Sequence, residues 1–434
     1  MALELLKQDQ NSYTPAFRDF LDTRAANEPA WLRLRREQAF AHFENIGLPT
    51  VKDEDWKYTN VAPIAKASFV PTFETARPVE LPYAETREST LGFVNGYFSE
   101  EHSSLQALSS VRIIPFAAAL ASPELEPIIR QHYERKKDLD GFIALNTAFS
   151  EGVLIVIPSG TKIEAPIHLA FVTAAEGAVS FGRVLIVAEA NSTATVVESY
   201  SGDGKYLTNG VIDFLVNDGA HLLHYKIQRE SADAFHIADT SAELGASANY
   251  DTTTINFGAA ISRHGIDVRM DHEGAQCSVD GLYMVDGNQH TDTHSLIDHR
   301  QPRCASHQLY KGILDGKSRA VFNGKVFVRH GAQQTDAKQT NKNLLLSPEA
   351  RVDTKPQLEI FADDVKCAHG AAVGQLDLDE LFYLESRGIN SSLARNMLTY
   401  GFAEEVIEKI RIESIKRELD EAVLHRLHSV LELE

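Results

Sequence analysis

A thiol and an imidazole stand one residue apart, as Cys367 and His369, in KPQLEIFADDVKCAHGAAVG, residues 355–374. Both are good donors to a transition metal or a cluster iron, and together they fill about half of a four-ligand shell. The remaining donors must come from elsewhere. In an extended chain alternate side chains share a face. Leu358, Ile360 and Ala362 then line one side, and after an Asp363-Asp364 turn Val365, Cys367 and His369 line another. The competing structural reading makes Cys367 a small buried hydrophobe and His369 a turn residue ahead of Gly370.

A second constellation runs from His290 to His307. His290, Asp292 and His294 would share a strand face, with His299, Cys304 and His307 close by. Such a set can build a mononuclear metal enzyme on a β-solenoid, and this is the alternative function carried forward. Equally, the same residues can form the wetted outer face of a strand. Gly316-Lys317-Ser318 ends like a phosphate-binding loop, but Lys311 stands where that motif needs glycine, so no ATP hydrolysis is expected of this chain. No GxSxG elbow and no marked carboxylate pair points to hydrolase chemistry.

The elements that must hold these residues follow from composition and pattern. With 42 Lys+Arg against 61 Asp+Glu, the net charge of −19 disfavours a phosphate-tracking surface and hence nucleic acid. Three scattered cysteines make no disulfide framework, which fits a reducing cytoplasm. MALELLKQDQ lacks a signal-peptide core, and no apolar run is long enough to span a bilayer. Thr14-Pro15 opens a helix, a second covers Trp31 to Ile46 and stops at Gly47, and a third is expected from Pro123 to Lys137. Trp56 and Tyr58 are expected to seal helices onto the next region. Residues 61–110 give no firm assignment. From Gly152 onward β-rich runs are punctuated by Asn191, Gly219, Gly245 and Gly274, spaced 28, 26 and 29 residues apart. A repeat of that length predicts a solenoid, a β-helix whose rungs stack, with a sandwich as the alternative. Its ends need covers, which the flanking helices are expected to supply. After Gly374 helical grammar returns: Asp379–Glu385 stopped by Gly388, a helix capped by Asn390-Ser391 and ending before Gly401, and a third carrying Val406, Ile410, Ile415, Leu419, Val423, Leu427 and Leu431. The expected division is a helical or mixed region over 1–150, a β-helix core over 151–376 and a helical region over 377–434.

Nearly the whole chain resembles the SufB/SufD family, the scaffold subunits of SUF iron–sulfur cluster assembly, on its SufD side. The likeness rests on EDWKYTN at 54–60, FIALNTAFSEGVLIVIPSGTKIEAPIHL at 142–169 and SHQLYKGILDGKSRAVFNGKVFV at 306–328. QTDAKQTNKNLLLS at 334–347, the CAHG stretch, DELFYLESRGI and ARNMLTYGF complete it. This resemblance implies a mainly β protein, a right-handed parallel β-helix flanked by N- and C-terminal α-helical regions, without enzymatic activity. It implies pairing with a SufB-like subunit through the β-helices, and docking of a SufC-like ABC-type ATPase on the C-terminal helices, at Leu381, Phe382, Leu384, Arg387, Leu398 and Phe402. His369 matches the family histidine that faces a cysteine of the SufB-like partner, and Cys367 is its neighbour. An iron–sulfur cluster or iron would reside there transiently, bound with partner ligands and not held by the isolated chain. SufB-type chains carry an essential cysteine in the stretch matching 334–347, and this chain has none there, so sulfur acceptance is expected of the partner. Whether the isolated chain forms a homodimer stays open.

Overall fold

The computed structural model describes residues 13–72, 83–135, 139–173 and 175–427. In the first part lie helices α1 (Tyr13–Thr23), α2 (Ala30–Ile46), α3 (Ala62–Lys66), α4 (Phe116–Leu120), α5 (Glu126–Arg135) and α6 (Gly141–Phe149), with strands β1 (Val70–Pro71), β2 (Thr90–Val94), β3 (Tyr97–Ser104) and β4 (Arg112–Pro115). Then come β5 (Gly152–Ile157), β6 (Ile167–Thr173), β7 (Ala178–Ala188), β8 (Thr193–Gly202), β9 (Leu207–Val216), β10 (His221–Gln228), β11 (Phe235–Leu244) and β12 (Asn249–Asn256). The run continues with β13 (Ile261–Met270), β14 (Gln276–Val285), β15 (His290–His299), β16 (Ala305–Leu314), β17 (Arg319–Val328), β18 (Thr335–Leu345), β19 (Arg351–Ile360) and β20 (Val365–Gly374). Helices α7 (Leu378–Ser386), α8 (Ser391–Ile407) and α9 (Glu413–Arg426) follow.

From β5 to β20 odd and even strands alternate between two sheets, and within each sheet every strand is parallel to the one a full turn before it. This is a β-solenoid of about 8 turns, with a lumen filled from both sheets by Ile155, Val184, Ile186, Val196, Ile212, Phe214, Tyr250 and Val279. The repeat expected from glycine spacing is present, with one shift of phase. The residues that turn each corner are Asn191, Gly219, Ser247, Gly274, Arg303 and Gln334, all at positive φ between 54° and 73°. The N–H of each bonds to a carbonyl one turn further on, as Asn191 to Asp218 at 2.9 Å and Gln334 to Asp364 at 2.6 Å. Gly245 is not in this column. It is small for a different reason, since a Cβ there would meet the backbone nitrogen of Asp218 at 2.6 Å.

The two ends differ. At the start β2 and its antiparallel partner β3, turned by Asn95-Gly96, close one sheet, and β4 runs antiparallel to β5 to close the other. At the far end β19 and β20 are the last strands of their sheets, and their residues are half-buried or exposed. Among the described residues the expected helical cover is not placed there. Helices α8 and α9 instead lie along the flank of the even-numbered sheet, where Ala403, Val406, Ile407, Ile410, Ile415, Leu419 and Val423 pack on Tyr225, Ile227, Ile255, Leu282, Met284 and Ile313. An apolar sheet face binds them more strongly than an edge of backbone groups could. That packing also carries α8 through Gly401, where a stop was expected, and the chain breaks at Ile410–Ile412 before α9, dividing the single helix expected there. The expected terminal residue Leu431 lies outside the described residues, as does Lys137 beyond α5.

On the other flank α1, α2 and α6 bury Phe17, Phe20, Phe40, Phe43 and Phe149 against Val179, Phe181, Leu207 and Phe235. Trp56 stacks on Phe142 at 5.4 Å and takes the Arg263 guanidinium over its face at 4.0 Å, so it does seal helix to solenoid. Tyr58 stays on the surface.

Candidate functional site

Cys367 and His369 lie on β20, in register with Ala337 and Gln339 of β18. Buried on β18 are Thr335, Ala337, Gln339, Asn341 and Asn343 in alternation, and then Leu344; the residues of β20 aligned with the alternating set, Val365, Cys367, His369 and Val373 among them, stand on the lumen side. They differ from the residues below only in having no ninth turn above. Val365 and Cys367 still touch the core cluster, and burial pushes the Cys367 thiol up, favouring its neutral form. His369 is exposed. From the facing sheet Leu358 and Ile360 stand over Val326 and Val328, and Ala362 is buried at the corner. The thiol and the imidazole therefore sit together at the open mouth of the lumen. Among the described residues no group of three or more His, Cys, Asp or Glu side chains converges to hold a metal ion, so this pair is an incomplete donor set.

Below the mouth the lumen turns polar, which the sequence reading missed. Gln339 Nε2 donates to Gln308 Oε1 at 2.7 Å, and Gln308 Nε2 donates to Ser295 Oγ at 2.8 Å. Beside them Asn341 accepts from Asn343 at 2.6 Å and from Thr354 at 2.8 Å. The signal was present in QTNKN: every second residue from Gln339 is an amide, but alternation alone does not say which face is inside. Deeper still, buried Glu198 joins Lys226 at 2.7 Å and His224 at 2.9 Å. Burial pushes the Glu198 carboxyl up, but Lys226 and His224 outweigh it and hold the group below the usual carboxylate range.

The His290–His307 tract does not gather into one centre. His290, Asp292 and His294 share a face of β15 as expected, but that face is occupied by the EDWKYTN segment. Thr59 Oγ1 lies 2.9 Å from His290 Nε2 and also donates to Asp292, whose carboxylate pairs with Arg263 and lies 3.1 Å from His294 Nε2. Burial alone would raise the Asp292 pKa, and Arg263 together with the hydrogen bond to His294 drives it well below normal. This is a clasp holding the N-terminal segment on the solenoid. His299 is buried and 2.8 Å from Ser306, Cys304 is buried at a corner against the His272 and Pro302 carbonyls, and His307 is exposed on β16.

On α7 a side-chain cap from Asp377 to the Asp379 and Glu380 amides fixes the start of the helix. Of the residues expected to dock an ATPase, Phe382 is 71% exposed and Arg387 is exposed over the Tyr383 ring. Leu384, Leu398 and Phe402 are half-buried, Phe402 beneath the Lys311 ammonium. Leu381 is buried and faces inward, because it anchors α7 on its neighbours. Leu378, at 78% exposed, and Tyr383 complete the outer face and were missed. No helix among the described residues is long and apolar enough to cross a membrane.

Comparison with known proteins fits this arrangement. Residues 171–402 match the family model described as SUF system FeS cluster assembly, SufBD core domain, and residues 7–169 match the SufBD protein N-terminal region. The chain is 34% identical over 416 residues to an iron–sulfur cluster assembly SufBD family protein of Synechocystis, with 92% of each chain covered. It is 33% identical over 409 residues to the iron–sulfur cluster assembly protein SufD of Escherichia coli, covering 91% of this chain and 93% of that one. Against SufD of Bacillus subtilis the identity is 27% over 413 residues, with 90% and 93% covered. With family models matched on both sides of residue 170 and the donor pair at the mouth of a β-solenoid, the chain belongs to the SufBD family of SUF iron–sulfur cluster assembly proteins.

Proposed function

We propose that this chain is a SufD-type, non-catalytic scaffold subunit working in the cytoplasm, and that iron–sulfur clusters are put together at its open rung against a SufB-like partner. The observation that carries this reading is the Cys367–His369 pair on an uncovered terminal rung: two donors, no third among the described residues, and free strand edges on both sheets. Iron and sulfide are cargo here. The partner's edge strands continue the two sheets, and its donors complete the shell around iron held by His369. Likeness to proteins named SufD over about nine-tenths of the chain supports this assignment, as does the lack of any cysteine within 334–347 to accept sulfur. A SufC-like ATPase docks on the outer face of α7, and its ATP-driven movements open and close the boundary.

His369→Ala tests this. Because the ring is exposed, the variant should fold and bind its partners within about 0.5 kcal/mol of the parent, while cluster assembly in cells drops sharply. Cys367→Ala should do less. Changing His290 and His294 to Ala should loosen the Asp292 clasp and lower stability without stopping assembly in the molecules that remain folded. Normal assembly by His369→Ala, together with none by folded His290/His294 variant, would overturn the proposal in favour of a metalloenzyme. Iron and sulfide analysis of anaerobically purified chain, alone and with its partners, gives the second readout: stoichiometric metal on the lone chain contradicts a shared site.

A further inference from the structure

The lumen column that leads to the mouth has a loose end. Gln308 of β16, Gln339 of β18 and His369 of β20 are in register on three successive turns. The Gln339 side chain is 1% exposed, and its Nε2 is spent toward the turn below, on Gln308 Oε1 at 2.7 Å. Its other polar atom, Oε1, is buried with no hydrogen-bond partner among the described residues. The amide fits there because Gly324 faces it across the lumen: a side chain at that position would overlap Nε2. With the amide's donor fixed downward, the unspent acceptor belongs to the last buried link of a chain that begins at Ser295 and whose next register position is the imidazole.

We infer that Gln339 is a positioning residue for His369, its Oε1 accepting the ring N–H so that one tautomer is fixed and the opposite ring nitrogen is turned, unprotonated, toward the mouth. A buried amide acceptor left without a hydrogen bond has lost its water and gained nothing, which is the drive for this bond. A histidine donor to a metal is ordinarily held in this way, its second N–H engaged by a carbonyl, carboxylate or water. Gln308 and Ser295 keep the amide from flipping, since a flip would point its NH₂ at His369 and an oxygen at the Gln308 oxygen. The functional consequence rests on the proposed role of His369, whereas the tautomer itself does not.

The experiment is nitrogen NMR on the full-length chain with labelled histidine, at about pH 8, above the ordinary histidine pKa of about 6.5. The His369 signals are assigned by their loss in His369→Ala. In the parent, one ring nitrogen should give a protonated and the other an unprotonated shift. Gln339→Met should bring the two shifts together as the tautomers mix. Thermal melts of both variants confirm folding. In cells Gln339→Met should lower cluster assembly about 10-fold and have no further effect on top of His369→Ala. Averaged shifts in the parent, or shifts unmoved by Gln339→Met, overturn the inference while leaving the scaffold proposal intact. A fixed tautomer released by Gln339→Met, alongside normal assembly by His369→Ala, upholds the bond and removes the proposed function instead.

Discussion

Several histidines of the solenoid strands are buried and resist protonation. His168 sits among the Thr86, Thr90 and Ser199 hydroxyls, and burial, reinforced by Arg229, lowers its pKa to about 3. Burial likewise lowers His299 to about 4 against the opposing pull of Asp298, and His236 and His264 move the same way. An unfolded chain takes up the protons of His168 and His299 near pH 6.5, whereas the folded one refuses them until about pH 3 to 4. The stability they confer is therefore complete above pH 6.5 and lost as pH falls through that window, at about 1.4 kcal/mol per pH unit for each ring. Urea midpoints measured from about pH 7.5 to 4.5 should fall accordingly, before most carboxylates titrate, and His168→Gln or His299→Gln should flatten the slope; a flat parent profile contradicts the assignment. At this scale the chemistry was half legible. Strand alternation put Cys367 and His369 on one face, but nothing in the residues marked Gln339 as interior, since buried and wetted polar faces share one alternating pattern.

Among the elements, the C-terminal helices divide into two jobs that the sequence did not separate. Removing 377–434 as a whole, the obvious test of ATPase docking, would strip Val406, Ile407, Ile415 and Leu419 from the sheet and leave Tyr225, Ile255 and Leu282 bare. Such a truncated chain should aggregate, since large exposed apolar patches mark aggregation liabilities. Surface changes on α7 avoid this: Leu378→Ala with Phe382→Ala should alter stability by less than about 0.5 kcal/mol and abolish co-purification with the ATPase, and retained binding would place the dock elsewhere. The Asn390 cap was readable because such a signal is local, whereas the starts expected at Trp31 and Asp379 each fall one residue inside the helices that begin at Ala30 and Leu378. The β2–β3 hairpin also had a clear signal, Asn95-Gly96 with positive φ at both residues between Phe93-Val94 and Tyr97-Phe98, yet it went unassigned among mixed runs. Helix α6, GFIALNTAF, was missed because it is buried on nearly every side and so shows no polar face to give a period.

For the molecule as a whole, the spacing of turn residues disclosed a solenoid because one left-handed corner per turn must recur wherever turns stack, and the shift from Gly245 to Ser247 left the period almost unchanged. What spacing cannot reveal is which end is closed, as that depends on the antiparallel strands β3 and β4 at one end and on where the C-terminal helices settle at the other. The open rung carries Ile360 and Val373 toward the lumen, 39% and 47% exposed, with Phe361 beside them. Changing Ile360 and Val373 to Lys should leave the lone chain folded and weaken pairing with the SufB-like subunit by about 2 kcal/mol, roughly 30-fold, read by titration calorimetry; unchanged affinity would mean that pairing uses another surface. The corner bonds run from each turn to the one after it, so every completed turn is the template on which the next is laid. Each turn of the solenoid therefore leaves two strands for the next to pair with, and among the described residues β19 and β20 stay in that state. A partner that continues both sheets, as proposed, would do for β19 and β20 what a further turn does for the strands below them.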